Sequence, residues 1–578
     1  MEFFRETAFG HLVRFVTGER IRQLQYFEEQ SPDSWLNYVN QETCANANQC
    51  SLIEEAERDF DKKRAEKNDV NLQSRDGSVD TGRTLVPGEV GENLKNANST
   101  SINLENGGSN RIVEFLPNDP ENPQNWPLVK KVFVTFQICL LTASIYIGSA
   151  IYTAGLKDVM LVFGVSQVAA LLGLTLFVAG YGLGPMIWSP LSEIPYIGRN
   201  PIYIGTLFVF ILLQIPTALS VNFGMLLTFR FLSGFFGSPV LATGGATLAD
   251  IWTPKKRAYA IACWGIAAVV GPTLGPVVGG FAAMAKGWTW PIWELMWLSS
   301  LVFVLLFFCL PETSSANILF RRAKRLRKIT GNDKFKSKPE ILAEEMTGRD
   351  IVMTCLVRPF TLSFTEPMLL LLNLYIALIY GLLYIWFESF PIIFTGIYGF
   401  SDGLEGLAFL GIMAGAFIAI PPFFWYVHKY LEPQFDGNGN IQPEKRIPPA
   451  FAGAFAIPLC LFWFGWSARA DIHWIVPIIG SSWFSIGSMF LFNSVLSYFP
   501  DAYPDYAASV LAGNDLFRSA FGVVFPLFAN TMYERLGVNW ASSLLGLLAV
   551  VFIPIPFVLY KIGANLRKNH SKYARKDL

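Results

Sequence analysis

The chain of 578 residues is 52% hydrophobic and 15% aromatic, and only 16% of it is charged, against roughly 25% charged in ordinary globular chains. Its 45 basic and 45 acidic residues cancel, so overall charge points to no nucleic-acid partner. The length alone would allow roughly two to four soluble domains, but the composition argues for a membrane protein.

Residues 1–125 are polar, with Asn, Asp, Glu, Lys and Gly dominating from Glu54 to Asn110. That composition reads as a largely disordered cytosolic tail. The opening MEFFRETAFGHLVRF lacks an apolar core long enough for a cleavable signal peptide. Residues 1–30 stay open to two readings, a short amphipathic helix at the membrane surface or a floppy terminus. A glycosylation sequon stands at Asn98-Ser99-Thr100, unused if that side is cytosolic. The seven cysteines, Cys44 and Cys50 in the tail and the rest in or beside apolar runs, form no CxxC pair. Neither a zinc site nor a disulfide framework is expected.

From Lys131 onward apolar runs follow in quick succession, and twelve reach the ~20 residues that a membrane helix needs. They cover roughly 131–153, 166–189, 201–221, 224–249, 258–284 and 291–311, then 366–395, 404–427, 448–468, 473–499, 506–531 and 539–561. The predicted fold is therefore an all-α membrane protein of two six-helix bundles, 126–311 and 365–562. A basic cytoplasmic linker, 312–364, joins them, and a basic tail, 563–578, follows. With the N-terminus inside, the cytoplasmic loops hold Arg199, Lys255, Lys256, Arg257, the run from Arg321 to Lys328, Lys429, Lys445 and Arg446. The outer loops hold Lys157, Lys286, Arg469 and Arg535. This asymmetry places both termini in the cytoplasm. The basic run in the linker can be a topology signal or a lipid-facing amphipathic helix.

The loop after the second run reads Gly184-Pro-Met-Ile-Trp-Ser-Pro-Leu-Ser-Glu193, then Gly198-Arg199. Glycines allow a tight turn, and Glu193 and Arg199 can pair with each other or with nearby helix ends. Such a cluster can latch one face shut in one state; the alternative is a surface turn with solvated charges. Arg230 lies inside the fourth run, where an arginine is costly unless it meets a partner or a wet cavity; snorkelling to the interface is the other option. Asp250 ends that run, either gating or solvated.

The fifth run carries GIAAVVGPTLGPVVGG from Gly265 to Gly280. Gly271, Gly275 and Gly279 share one helix face, where a neighbouring backbone can come close. Pro272 and Pro276 each remove a backbone donor and bend the helix. In the eleventh run Asp515 and Arg518 are three apart and able to pair, near the membrane midplane, as a coupling pair or a purely structural one. Glu366 opens the seventh run, as a further coupling candidate or an interfacial carboxylate. Asn373, Tyr375, Tyr380 and Tyr384 along that run, with Tyr146, Asn514 and Phe521, are candidate ligand contacts, though core or lipid-facing aromatics are the commoner outcome.

The twelve-run plan, the GPTLGPVVGG helix, the PLSE…GR turn and RFLSGFFGS together resemble the major facilitator superfamily. The segment Asp119-Pro-Glu-Asn-Pro-Gln-Asn-Trp-Pro127, RRAKRLRKITGND from Arg321 and NDLFRS in the eleventh run resemble fungal twelve-span drug:proton antiporters. These include benomyl, cycloheximide and fluconazole resistance transporters. The match covers about 110–565. Glutamate at Glu193 replaces the usual loop aspartate, Pro195 and Tyr196 stretch the spacing to Gly198-Arg199, and the matching loop after the eighth run is degenerate.

The resemblance implies proton-driven export of varied, mostly hydrophobic or cationic toxic compounds across the plasma membrane by alternating access. It also implies a place for Arg230 in proton transfer, a pivot at the fifth-run glycines and a latch at Glu193, Gly198 and Arg199. Asp515, or a group near Arg230, would carry the proton. No cofactor or metal is expected beyond the proton gradient, no enzymatic activity, no nucleic-acid partner, and a monomer. A narrow exporter or importer of a metabolite or polyamine, and a non-transporting receptor, are the competing readings.

Overall fold

The computed structural model describes residues 5–17, 21, 24–26, 29, 111–116, 118–347, 350, 353–436 and 440–576. The polar stretch from Glu54 to Asn110, the sequon at Asn98, Cys44 and Cys50 lie outside the described residues.

Among the described residues, eleven helical segments are long and apolar enough to cross a membrane. The first ten are Leu128–Phe163, Gln167–Glu193, Asn200–Ala218, Phe223–Ile251, Pro254–Lys286, Trp290–Cys309, Pro367–Thr395, Asp402–Gln434, Pro448–Ser467 and Ile475–Ala502. The last, Ser509–Asn569, holds two crossings, because Gly537 at φ 74° and ψ 159° interrupts the helix. Glycine suits that position because a side chain would be strained at positive φ. Twelve crossings result, six before and six after the linker, as the sequence predicts. The chain adopts helix throughout these runs because hydrocarbon offers backbone amides no alternative partner.

The loop ends that carry Arg199 and Lys256 are called the basic end below. The other end carries Lys157 and Asp402.

Close approaches at glycine set the packing. On the fifth span, a Cβ at Gly271 would lie 2.6 Å from Tyr146 Cβ, at Gly275 2.7 Å from Ala150 Cβ, and at Gly279 2.7 Å from the Ile151 carbonyl. The neighbour admitted by the predicted small-residue face is thus the first span. The adjoining face meets the other bundle: a Cβ at Gly280 would lie 2.7 Å from the Asp402 carbonyl, and Gly406 of the eighth span sits against the Pro276 carbonyl. The helix runs unbroken through Pro272 and Pro276.

The linker carries helices Ser315–Thr330, Lys338–Glu345 and Arg358–Thr365. Among the described residues, Gln25, Tyr26, Glu29, Arg111–Glu114 and Arg321–Lys338 form a separate compact unit. In it, Arg111–Val113 pairs in parallel with Phe335–Ser337, over a small apolar cluster of Val113, Ala323, Leu326 and Phe335.

Candidate functional site

Three spaces lie along the seam between the bundles. At the basic end a cavity of about 210 Å³ is bounded by Glu193, Arg199, Asp250 and Trp264 of the first bundle and by Leu496, Asn514 and Arg518 of the second. Next to it, a central space of about 40 Å³ is walled by Tyr146, Trp264, Tyr380, Phe492, Asn493 and Arg518. Toward the opposite end a cavity of about 260 Å³ is lined by Lys157, Gln167, Glu388, Asp402, Glu405 and Asn530.

A layer of tyrosines joins the bundles at mid-depth. The Tyr181 hydroxyl lies 2.5 Å from that of Tyr380 and 2.8 Å from that of Tyr384, and Tyr384 donates to Ser149 Oγ at 3.0 Å. The Tyr146 ring meets Tyr181 edge-on, centroids 6.0 Å apart. Hydroxyls buried in this way are costly without partners, so they satisfy one another.

Below this layer stands the buried pair of the eleventh span, in which Arg518 Nη2 donates to Asp515 Oδ1. Asp515 Oδ2 and Arg518 Nε have no partner among the described residues. The guanidinium carbon sits 5.5 Å from the Tyr380 ring centroid and 5.8 Å from that of Phe492, within cation–π range. Asn514 Nδ2 donates to Asn373 Oδ1 at 2.9 Å, and Asn373 Nδ2 to Ser363 Oγ at 3.3 Å. Predicted residues Asp515, Arg518, Asn514, Asn373, Tyr146 and Tyr384 therefore converge around the seam.

Arg230 is fully buried and meets backbone. Its Nε donates to the Gly173 carbonyl and its Nη1 to the Gly148 carbonyl, each at 2.9 Å. Its guanidinium lies 4.4 Å from the Phe177 ring centroid and 4.8 Å from that of Tyr152. One arginine thus ties the fourth span to the first and second.

At the basic end, Arg199 Nη1 pairs with Asp250 Oδ2 at 2.8 Å, so Arg199 engages the end of the fourth span. Glu193 borders the same cavity. Burial opposes the charge of Arg199, but Asp250, Tyr203, Glu193 and Glu312 outweigh it and hold the guanidinium above its ordinary pKa. Gly198 has φ +81°, and a Cβ there would lie 2.6 Å from Glu312 Oε2. Gly184 sits against Phe235 and Ser238 of the fourth span. Lys256 and Tyr259 of the fifth span both reach Glu432 Oε1, at 2.7 and 2.8 Å. That contact bridges the bundles at the basic end. Lys157 with Asp402, at 2.8 Å, bridges them at the other.

The sequence profile of the Major Facilitator Superfamily matches residues 138–526. This chain belongs to that superfamily. It is 48% identical over 462 residues to Transporter mfs1 of Schizosaccharomyces pombe, covering 79% of this chain and 87% of that protein. It is 43% identical over 485 residues to Fluconazole resistance protein 1 of Saccharomyces cerevisiae, covering 83% and 88%. To the Cycloheximide resistance protein of Candida maltosa it is 40% identical over 470 residues, covering 79% and 84%. The fold is also similar to that of the proton:xylose symporter XylE, with a TM-score of 0.52 at 15% identity over 75% of this chain and 96% of that one.

In this superfamily member the predicted residues Glu366, Tyr375 and Phe521 line none of the three seam cavities and make other contacts. Glu366 accepts from the Tyr503 hydroxyl at 3.3 Å and from the Lys572 amide at 3.0 Å, so it fastens the C-terminal segment to the second bundle. Tyr375 packs on Phe552 of the twelfth span, centroids 5.5 Å apart. Phe521 packs on Phe525.

Sequence reasoning passed over Tyr181, Trp264, Phe492 and Glu312. Trp264 carried a signal: it directly precedes the glycine run, and its Nε1 donates to Thr142 Oγ1 at 2.9 Å. Glu312 was legible as a carboxylate at the end of the sixth span, its role set by contacts over 100 residues distant. Tyr181 and Phe492 are single aromatics among many in their spans, and neither type nor spacing marks them as seam residues.

Proposed function

We propose that this transporter exports hydrophobic and cationic toxic compounds in exchange for protons, by alternating access between its two six-helix bundles. The names of its relatives, which include resistance proteins for fluconazole and cycloheximide, support drug efflux. The single observation that carries the mechanism is the buried Asp515–Arg518 pair at the wall of an aromatic seam, with a tyrosine layer on one side and a cavity on the other. Aromatic and amide groups hold varied ligands by area and stacking, with few fixed hydrogen bonds, which suits a broad substrate range. Protonation of Asp515 weakens its hold on Arg518, and the bundles rock about the close contacts of the fifth and eighth spans. Proton and drug each shift the population that the other meets. The basic end faces the cytoplasm in this reading, as the positive charge of its loops favours, and the plasma membrane is the site of action.

The test is uptake of a fluorescent hydrophobic cation into inverted vesicles, with and without an imposed proton gradient, for the native chain and Asp515→Asn. Gradient-driven uptake lost in the folded variant is expected. Uptake indifferent to the gradient would overturn proton coupling. No uptake of any dye in a panel would favour a narrow metabolite or polyamine substrate.

A further inference from the structure

The helix Ala8–Thr17 has an inverted surface. Its buried positions are Gly10 and Arg14, whereas the face open to the surroundings is apolar: Leu12 is 52% exposed, Phe15 86% and Val16 74%. These three lie at i, i+3 and i+4, on one side of the helix. Arg14 turns inward, and its Nη1 donates to the Leu24 carbonyl at 2.5 Å. In water this arrangement would expose the apolar side chains and bury the charge; at a membrane surface it is the favourable one.

The helix is docked at a definite depth. The Phe9 ring packs on Phe307 and Phe308 at the basic end of the sixth span, centroids 6.4 and 4.9 Å apart. Phe308 belongs to an exposed stripe with Leu301 and Val304 along that span, a stripe that faces lipid in any membrane orientation of the bundle. The apolar face of the short helix thus continues a bilayer-facing surface. Just ahead of the helix, Thr7 bridges to Pro311, and the Glu312 amide donates to the Glu6 carbonyl at 3.0 Å. Glu312 in turn accepts from the backbone amides of Arg199 and Asn200, each at 3.2 Å.

We propose that Ala8–Thr17 is an in-plane membrane anchor, with Leu12, Phe15 and Val16 seated among the phospholipids of the basic-end leaflet. Through Glu6, Thr7 and Glu312 it fixes the position of the loop that carries Arg199. The occupant of this face is lipid.

The experiment places a nitroxide at position 12, 15 or 16 of a full-length chain whose cysteines are replaced by serine, in lipid nanodiscs, with a further label at Phe308 as a depth reference. Greater relaxation by oxygen than by an aqueous nickel chelate, at a depth close to that of the Phe308 label, is expected. Preferential relaxation by the nickel chelate would overturn the proposal. So would strong dipolar coupling between labels on two chains, because a second copy would then cover the face. The unmodified chain gives an independent reading with a phospholipid carrying a photoreactive group in its upper acyl chain. Adducts on the peptide containing Phe15 are expected; adducts on the sixth span with none on that peptide would also overturn it.

Discussion

The backbone amide of Arg199 donates to Oε1 of Glu312 at 3.2 Å across 113 residues of chain. The same carboxylate accepts from the amides of Asn200, Thr313 and Ser314, at 3.2, 2.9 and 2.9 Å. A buried anion at the start of the third span satisfies amides that the helix itself leaves open, and it favours the positive end of the helix dipole. We predict that Glu312→Ala lowers stability by roughly 2–4 kcal/mol, since hydrogen bonds to a charged group contribute about 1.5–3 kcal/mol each and some amides recover water. Glu312→Gln should lose less. Thermal unfolding of purified protein tests this, and an unchanged midpoint for Glu312→Ala would refute it.

The Arg199–Asp250 ion pair sits at the edge of the basic-end cavity. If it latches one state, Arg199→Ala and Asp250→Ala should each slow transport at least tenfold while leaving folded yield within about twofold. The exchange Arg199→Asp with Asp250→Arg should recover part of the loss. Vesicle uptake decides. Full activity in either single variant would reduce the pair to a surface contact.

Asp515→Asn leaves Arg518 buried without its counter-charge, and breaking a buried pair from one side costs roughly 3–5 kcal/mol. The double variant Asp515→Asn with Arg518→Gln removes both charges and should fold better than the single one. Neither should couple dye movement to a proton gradient. Coupled transport in the double variant would place the proton carrier elsewhere.

The fifth-span glycines should differ sharply in tolerance. An added Cβ at Gly275 would meet Ala150 Cβ at 2.7 Å and the Ile151 nitrogen at 2.8 Å, whereas at Gly265 the nearest atom is Asn493 Nδ2 at 3.5 Å. Gly275→Ala should therefore push the first and fifth spans apart and reduce yield and activity severalfold. Gly265→Ala should leave the yield unchanged. Equal behaviour of the two in size-exclusion profiles and uptake would contradict the packing described.

Tyr181→Phe removes the hydroxyl shared by Tyr380 and Tyr384 while keeping the ring. Its expected effect is a faster, less gradient-dependent dye leak, with stability changed by only about 1–2 kcal/mol. An unaltered leak rate would mean that the tyrosine layer is not a barrier.

What the sequence by itself determined is what local composition controls. Twelve apolar runs became twelve crossings, because length and hydrophobicity decide insertion and lipid leaves the backbone no choice but helix. The charges inside those runs, at Arg230, Asp515 and Arg518, were visible because they are costly there, and the glycine spacing of the fifth span exposed a contact face without naming its neighbour. Tertiary structure alone decided the partners. An aromatic ring suits a core, a seam or a lipid-facing surface alike, so Tyr181 and Phe492 could not be told from lipid-facing residues, nor Tyr375 and Phe521 from seam residues. Long-range adjacency brought Arg199 to Asp250, Arg230 to the Gly148 and Gly173 carbonyls, and Glu366 to the C-terminal segment. In each case the physical reason is the same: burial requires a polar group to find a partner, but only the arrangement of the helices says which one is within reach.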